Sequence, residues 1–337
     1  MKCCEKSGKR VRLPRAALLL VLAPLLVPPS FSQETTTYRS QANLVLIPAL
    51  VKDQQGGIVY GLEAKDFIIE DNGKEEPFRL DETPEGQPVS LVVVVQRGRR
   101  AYHEFPRMQG LKTMLGPLFA QGTARVAIVE FDSKVVLVRK FTGDESLIDA
   151  DLRNLEAGDG GARILDAVDY SVKLLNEEPE GRQRVLLLIS ETRDHGSRDK
   201  IDTVVAAIGQ SNMLMYALAF SPALSNILDT GRGTNEEEMH QGVNFLDLLY
   251  RARQAMRKNV PNTVAMMTGG EYELFASKKS FEMRMNDFTN HLHSRYLLSI
   301  SPKDPSPGLH QLRVRLRNAG QGSVLARTSY WAQQSVQ

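Results

Sequence analysis

The residues from Val89 to Val95 form a run in which only Ser90 is polar. A strand with this pattern is buried on both faces, as the central strand of a parallel sheet is. Beyond it, further apolar runs alternate with stretches of helical periodicity up to about residue 300. Because parallel strands need helical crossovers, the alternation predicts an α/β fold with a doubly wound, mainly parallel sheet and helices on both faces.

The predicted elements of this segment follow one another in a regular order. We predict strands at 89–95, 125–131, 135–141, 184–190, 213–220, 271–275 and 296–300. We predict helices at 102–120, 162–176, 200–210, 240–258 and 281–293. The polar, glycine-containing stretch 221–238 is expected to be a surface insertion.

The two ends of the chain predict a small antiparallel β unit. Residues 43–51 form one predicted strand, and the turn at Asn72-Gly73 joins strands at 67–70 and 75–80 in a hairpin. Near the C-terminus, residues 309–317 alternate between apolar residues and arginines, as in a half-buried strand. We expect that strand to pair with the N-terminal β unit, as an edge strand whose arginines are solvated.

The first 32 residues have the layout of a signal peptide. A basic start leads into the apolar stretch 16–27, which is too short and too rich in proline to span a membrane. Small residues around Phe31 place the expected cleavage after Ser32. We therefore divide the chain into a leader (1–32), an N-terminal β unit with its linker (33–86), an α/β domain (87–302) and a C-terminal β extension (303–337).

The expected cleavage also changes the charge and the cysteine content. The leader contains six basic residues and one acidic residue, so its removal turns the net charge from +2 into −3. Overall charge then offers no case for binding nucleic acid. Cys3 and Cys4 both lie in the leader, so the mature chain forms no disulfide and has no thiolate to bind a metal. No later segment is apolar enough to span a bilayer.

Several phrases of the sequence together resemble the von Willebrand factor A fold, in particular the VWFA-related family described from Acidobacteria. The phrases are GLEAKDFIIEDNGKEEPF (61–78), PVSLVVVV (88–95), GGARILDAV (160–168), RVLLLISETRDHGSR (184–198), TGGEYELFA (268–276) and YLLSISPKDPSPGLHQLRVRLR (296–317). They cover most of the chain after the leader. The resemblance implies a binding role and a metal-ion-dependent adhesion site, in which an Asp-x-Ser-x-Ser loop holds a divalent cation through oxygen ligands.

The residues at the family's ligand positions depart from that pattern. The loop after Val95 places Gln96, Gly98 and Arg100 at the Asp and Ser positions, and Ala162 and Glu191 at the Thr and second Asp positions. Only Glu191 is still a potential ligand, with Asp194 nearby as a helper. An arginine about 5 Å from a divalent cation would repel it by roughly 6 kcal/mol at an effective dielectric constant of about 20. We therefore expect no Mg²⁺ and no other cofactor.

The arginines of this loop are the candidates to replace the cation. Arg97, Arg99 and Arg100 lie beyond the C-terminal end of a central strand, where open α/β sheets bind their ligands. One of them is expected to pair with Glu191 or to bind an acidic group of a partner. The alternative is a solvated basic loop with no binding role.

These inferences predict an exported, non-catalytic binding protein that is secreted or periplasmic. Its expected partner is another protein or a surface polymer, and neither nucleic acid nor a membrane span in the mature chain is expected. Two alternatives remain open. One is a hydrolase-like enzyme that uses Asp194, His195 and Ser197. The other is a structural scaffold of the cell envelope.

Overall fold

The computed structural model describes residues 44–81, 87–108, 110–120, 122–220, 245–302 and 306–333, with Arg99, Arg100 and Phe245 described in their backbone only. All of them belong to one compact unit, residues 42–337. The predicted leader and the predicted insertion at 221–238 lie outside the described residues. Within the described ranges, no helix combines the length and the apolar character that crossing a bilayer requires.

Strands and helices alternate through the middle of the chain, and strands alone dominate its two ends. The strands are β1 (Val45–Lys52), β2 (Phe67–Asp71), β3 (Lys74–Glu75), β4 (Phe78–Asp81), β5 (Val89–Gln96), β6 (Arg125–Phe131), β7 (Val135–Thr142), β8 (Gln183–Ser190), β9 (Met213–Phe220), β10 (Tyr272–Phe275), β11 (Tyr296–Ile300), β12 (Gly308–Leu316), β13 (Ser323–Ala326) and β14 (Ser329–Ala332). The helices are α1 (Arg99–Tyr102), α2 (Leu111–Phe119), α3 (Glu145–Arg153), α4 (Ile164–Asn176), α5 (Ile201–Gln210), α6 (Phe245–Lys258), α7 (Val260–Thr268) and α8 (Lys278–His293).

The central sheet has six strands in the order β10-β9-β8-β5-β6-β7. Its strands are parallel except β7, which pairs antiparallel with β6. From β5 the chain winds to one side through β6 and β7, then returns to β8 on the other side of β5. The sheet therefore has its topological switch point between β5 and β8.

Helices cover both faces of this sheet, which confirms the predicted fold class. Apolar residues of α4, α5, α6 and α7 pack on one face, and those of α2 and α8 pack on the other. All eight residues of β5 are buried, as its sequence predicts. The side chains of successive β5 residues alternate between the two cores, as a strand with two buried faces requires.

The N- and C-terminal strands form two antiparallel sheets, with strand orders β13-β1-β11-β4 and β14-β12-β2-β3. A third core of apolar side chains lies between them. The prediction that the C-terminal strand pairs with the N-terminal unit is confirmed, because β12 pairs with β2. The prediction that it is an edge strand is wrong for its first half, because β14 pairs with Gly308–Gln311, whereas the arginine-bearing half, Leu312–Leu316, pairs with β2. Arg313 is exposed, as expected, whereas Arg315 donates to Glu70 on β2 at 2.9 Å.

Three local predictions differ from the structure. The predicted helix 102–120 is interrupted: α1 ends at Tyr102, a 3₁₀ turn carries Pro106, and α2 begins only after Gly110, whose φ is 99°. The predicted strand 75–80 is split because Pro77 has no N–H to continue the ladder with β2. Its second half, β4, pairs with β11 instead. Helices α3 and α7 were not predicted.

Arg327 joins the terminal sheets to the α/β layer. Its guanidinium is buried and donates to the backbone oxygens of Gly209 and Ser211, at the C-terminal end of α5, at 2.6 and 2.9 Å. Burial lowers the pKa of Arg327 to about 10, so the side chain remains charged at neutral pH. A cation here satisfies the carbonyl groups that a helix leaves without partners at its C-terminus.

Candidate functional site

The predicted site lies at the switch point of the central sheet. Gln96 is the last residue of β5, and Glu191 directly follows β8, so both lie at the C-terminal edge where these neighbouring strands diverge. In open α/β sheets this crevice is the usual place for a ligand. The topology therefore brings together residues that are 95 positions apart in sequence.

Gln96 and Glu191 form a reciprocal pair of hydrogen bonds across this crevice. The side-chain Nε2 of Gln96 donates to Oε1 of Glu191 at 3.0 Å, and the backbone N–H of Glu191 donates to Oε1 of Gln96 at 2.8 Å. Both residues are buried, with exposed fractions of 2% and 7%. The amide thus satisfies a buried donor and a buried carboxylate oxygen at the same time.

Arg97 binds two buried carboxylates on the other side of β5. Its Nε donates to Oδ2 of Asp132 at 3.1 Å, and its Nη1 donates to Oε2 of Glu130 at 3.2 Å. Burial raises the pKa of Glu130 above its ordinary value, although the positive charge of Arg97 opposes that effect. The guanidinium of Arg97 is therefore ion-paired within the protein, with one carboxylate near the end of β6 and one directly after it.

A glycine-rich loop, residues 158–161, packs against Gly98 and Asp132. A Cβ on Gly98 would lie 2.6 Å from the carbonyl oxygen of Gly161, and one on Gly158 would lie 2.3 Å from Oδ2 of Asp132. Asp159 holds the loop in place by accepting hydrogen bonds from the Ser133 hydroxyl and from the backbone N–H of Ser133. These bonds lower the pKa of Asp159. Only glycine leaves room for such close backbone approach.

The loop after β8 is anchored to the start of α4. Asp194 accepts from the backbone N–H of Leu165 at 3.1 Å and from the hydroxyl of Ser197 at 2.5 Å. The buried Ala162 and the exposed His195 exchange backbone hydrogen bonds of 3.3 and 2.8 Å. Asp194 and Ser197 therefore accept hydrogen bonds from the backbone N–H groups of Leu165 and Asp166, which the first turn of α4 leaves without helical partners. Within the described structure no hydrogen bond joins Ser197 to the ring of His195.

The structure brings together most of the residues selected from the sequence. Gln96, Arg97, Gly98, Ala162, Glu191 and Asp194 all lie at the C-terminal edge of the sheet. The side chains of Arg99 and Arg100 lie outside the described residues. Sequence reasoning missed Glu130, Asp132 and Asp159. Asp132 could have been found, because it follows a predicted parallel strand just as Gln96 does. In the described part of the chain, no three His, Cys, Asp or Glu side chains are grouped so that they could share a metal ion.

Comparison with known proteins gives a family match over part of the chain. Residues 96–193 match the sequence profile of the von Willebrand factor type A domain. Comparison with curated proteins gives no match.

Comparison with solved structures gives matches to proteins from several bacteria. The conserved hypothetical protein BatB of Bacteroides thetaiotaomicron has 14% identity and a TM-score of 0.42, with 60% of this chain and 98% of that chain covered. The vWF domain of a type V pili tip protein from Porphyromonas gingivalis has 10% identity and a TM-score of 0.41, with 61% and 95% covered. A von Willebrand factor type A protein from Catenulispora acidiphila has 7% identity and a TM-score of 0.42, with 88% and 76% covered.

Proposed function

We propose that this chain is an exported binding protein that recognises its partner without a divalent cation, a proposal supported by the match of residues 96–193 to the von Willebrand factor type A domain. The partner is another protein or a surface polymer, bound at the C-terminal edge of the central sheet. Export rests on the signal-peptide layout of residues 1–32, and leads to the periplasm or the exterior.

The observation that carries this proposal is the Gln96–Glu191 pair. At the position where a cation site of this fold needs a carboxylate after β5, the chain has a neutral amide, and that amide binds one oxygen of Glu191 directly. Two hydrogen bonds within the protein thus join β5 to the loop after β8, a connection that a bound cation would otherwise provide.

The remaining residues at the expected ligand positions do not fit Mg²⁺. Gly98 and Ala162 have no side-chain oxygen, and Arg100 has a cationic side chain. Mg²⁺ requires close octahedral coordination by hard oxygen ligands. Asp132 is close by, but its oxygens already accept from Arg97 and from the backbone N–H of Lys134. We infer that recognition at this edge depends on hydrogen bonds and charge of the protein itself.

The loop after β8 supplies an exposed basic surface for this role. Arg193 and Arg198 are both exposed. Hydrogen bonds fix their loop to the start of α4. Asp194 accepts from the backbone N–H of Leu165, and Asp166 accepts from the backbone N–H groups of Arg198 and Asp199 at 2.8 and 2.9 Å. A preorganised loop loses little conformational entropy on binding. Exposed guanidinium groups favour a carboxylate or another acidic group on the partner.

The enzyme alternative finds less support in these contacts. A serine nucleophile needs a base within hydrogen-bond reach. The hydroxyl of Ser197 instead donates to Asp194, which also caps a helix. The scaffold alternative predicts binding through the terminal β sheets. Substitutions in those sheets should then reduce binding, whereas substitutions at the edge of the central sheet should not.

A pull-down with matched variants tests the proposal. The purified chain is immobilised and exposed to an envelope extract, in buffer with millimolar Mg²⁺ and in buffer with EDTA. The test variant is Arg193→Glu with Arg198→Glu at the site edge. The control is Arg313→Glu, which reverses an exposed arginine on β12 in the terminal sheets.

We expect the same partner to be captured in both buffers, to be lost with the double variant and to be retained with Arg313→Glu. Loss of capture in EDTA would contradict cation independence. Loss only with Arg313→Glu would favour the scaffold alternative. Turnover of a substrate panel that disappears in His195→Ala would favour the enzyme.

A further inference from the structure

A cavity lies on the α2 face of the central sheet, between the 3₁₀ turn Phe105–Met108, α2 and α3. Its volume is about 660 Å³, within the range of small-molecule sites. Its inner wall is apolar and comes from Phe105, Met108, Leu111, Leu152 and Leu155. The site at the sheet edge uses none of these side chains.

Charged side chains lie at the rim of the cavity. The Nζ of Lys112 lies 2.9 Å from Oδ2 of Asp149, and the Nη2 of Arg153 lies 2.8 Å from the same oxygen. The hydrogen bond from Lys112 lowers the pKa of Asp149, so this carboxyl is ionised at neutral pH. Two cations therefore share one anion, and the charges of the lysine, arginine and aspartate side chains that line the cavity sum to +1. His103 also lines the cavity.

We propose that this cavity binds a small amphipathic carboxylic acid, with its apolar body against Leu111, Leu152 and Leu155 and its carboxylate at Lys112 and Arg153. The apolar wall provides burial for a hydrocarbon or aromatic body. The excess positive charge at the rim selects an anionic head group. An amphiphile with a cationic head would meet an unfavourable charge at the same place.

The composition of the wall favours a small molecule over a flat protein interface. A concave site of this size buries most of the surface of a drug-sized ligand, and a few polar groups at the rim orient it. Tyr102 stands at the mouth with about half of its surface exposed, and its ring packs edge-on against Phe105 at 5.7 Å. This pair makes one side of the mouth aromatic.

The charge of the head group is tested by calorimetry with two amphiphiles of equal chain length. Dodecanoate and dodecyltrimethylammonium are titrated into the purified protein, each below the concentration at which it forms micelles. We expect dodecanoate to bind with a stoichiometry of one and at least about tenfold more tightly than the cation. Lys112→Gln should weaken dodecanoate binding by about tenfold and leave the cation unaffected, because it removes one charge-assisted hydrogen bond.

The location is tested by filling the cavity. Leu152→Trp should abolish binding of both amphiphiles. Because Leu152 is half-buried and the variant could fold poorly, Thr113→Trp fills the mouth from an exposed position on α2. The matched control is Leu147→Trp, which adds the same ring at an exposed position of α3 that does not line the cavity. It should bind as the wild type does.

Three results would overturn the proposal. The first is no dodecanoate binding to the folded wild-type protein. The second is equal affinity for the anionic and the cationic amphiphile, which would indicate a purely apolar site. The third is binding that persists in a folded Trp variant at position 152 or 113, which would place the amphiphile elsewhere.

Discussion

Replacing Arg97 with methionine tests the electrostatic arrangement at the sheet edge. The substitution keeps most of the apolar part of the side chain and removes the guanidinium. It leaves Glu130 and Asp132, whose exposed fractions are 7% and 4%, without their shared cation. Removing one partner of a buried ion pair costs about 3–5 kcal/mol. Because the side chain of Arg97 is 27% exposed, water relieves part of this cost, and we expect a loss of about 3 kcal/mol at pH 7.5.

The loss should depend on pH in a defined direction. Burial already raises the pKa of Glu130, and without Arg97 that pKa rises further. A carboxyl whose folded-state pKa lies above its unfolded-state value takes up a proton on folding, so its ionisation destabilises the protein as pH rises. Unfolding in urea should therefore show a larger difference between Arg97→Met and wild type at pH 7.5 than at pH 5.

Arg97→Lys is the matched control. Lysine keeps the positive charge but cannot donate to both carboxylates as the Nε and Nη1 of arginine do, so this variant should recover only part of the stability lost in Arg97→Met. A free energy of unfolding for Arg97→Met within about 0.5 kcal/mol of wild type at pH 7.5, which is the size of effect of an ordinary surface substitution, would refute the argument. A difference that stays constant between pH 5 and 7.5 would refute its electrostatic part.

Three further substitutions test other parts of the structure by the same denaturation method or by thermal unfolding. Gln96→Leu removes both hydrogen bonds to Glu191 and should cost roughly 2–4 kcal/mol. Burial lowers the pKa of His310, but the hydrogen bond to Asp71 outweighs burial, so the pKa in the folded protein is raised. The stabilisation that His310 gives to the folded state is therefore complete below about pH 6.5 and is lost as the pH rises through the folded-state pKa. His310→Phe should be less stable than wild type at pH 6, and that difference should shrink by pH 9. Arg327→Met leaves the last carbonyls of α5 without a donor and should lower the melting temperature by roughly 6 °C or more.

The sequence contained signals for two helices that were not predicted. Asp144 accepts from the backbone N–H of Ser146 at the start of α3, which is ordinary helix capping. Asn259 and Gly269 cap the two ends of α7, and Pro261 stands in its first turn. Both helices are short and follow closely on another element, so their apolar pattern is too brief to be distinguished from a loop.

Sequence reasoning located the candidate site but not its contacts. The order of strands shows that the residues after β5 and β8 meet at one edge, which is why Gln96, Glu191 and Asp194 could be selected together. The partner of Arg97 could not be chosen in the same way. Glu130, Asp132 and Glu191 are all acidic and near the strand ends, and only the position of β6 beside β5 brings the first two within hydrogen-bond distance of the guanidinium.

The sequence alone determined that β5 is a central strand. A run of valine and leucine side chains avoids water only where both faces of the strand are covered, as they are in the middle of a parallel sheet. The sequence also determined that an amide and basic residues follow that strand. The tertiary structure decided which carboxylate each of these side chains meets, because hydrogen bonds require distances of about 3 Å that depend on how strands and loops pack. It likewise decided that the chain's two ends form a pair of sheets, because strand partners are selected by complementary buried faces that lie more than 200 residues apart in the sequence.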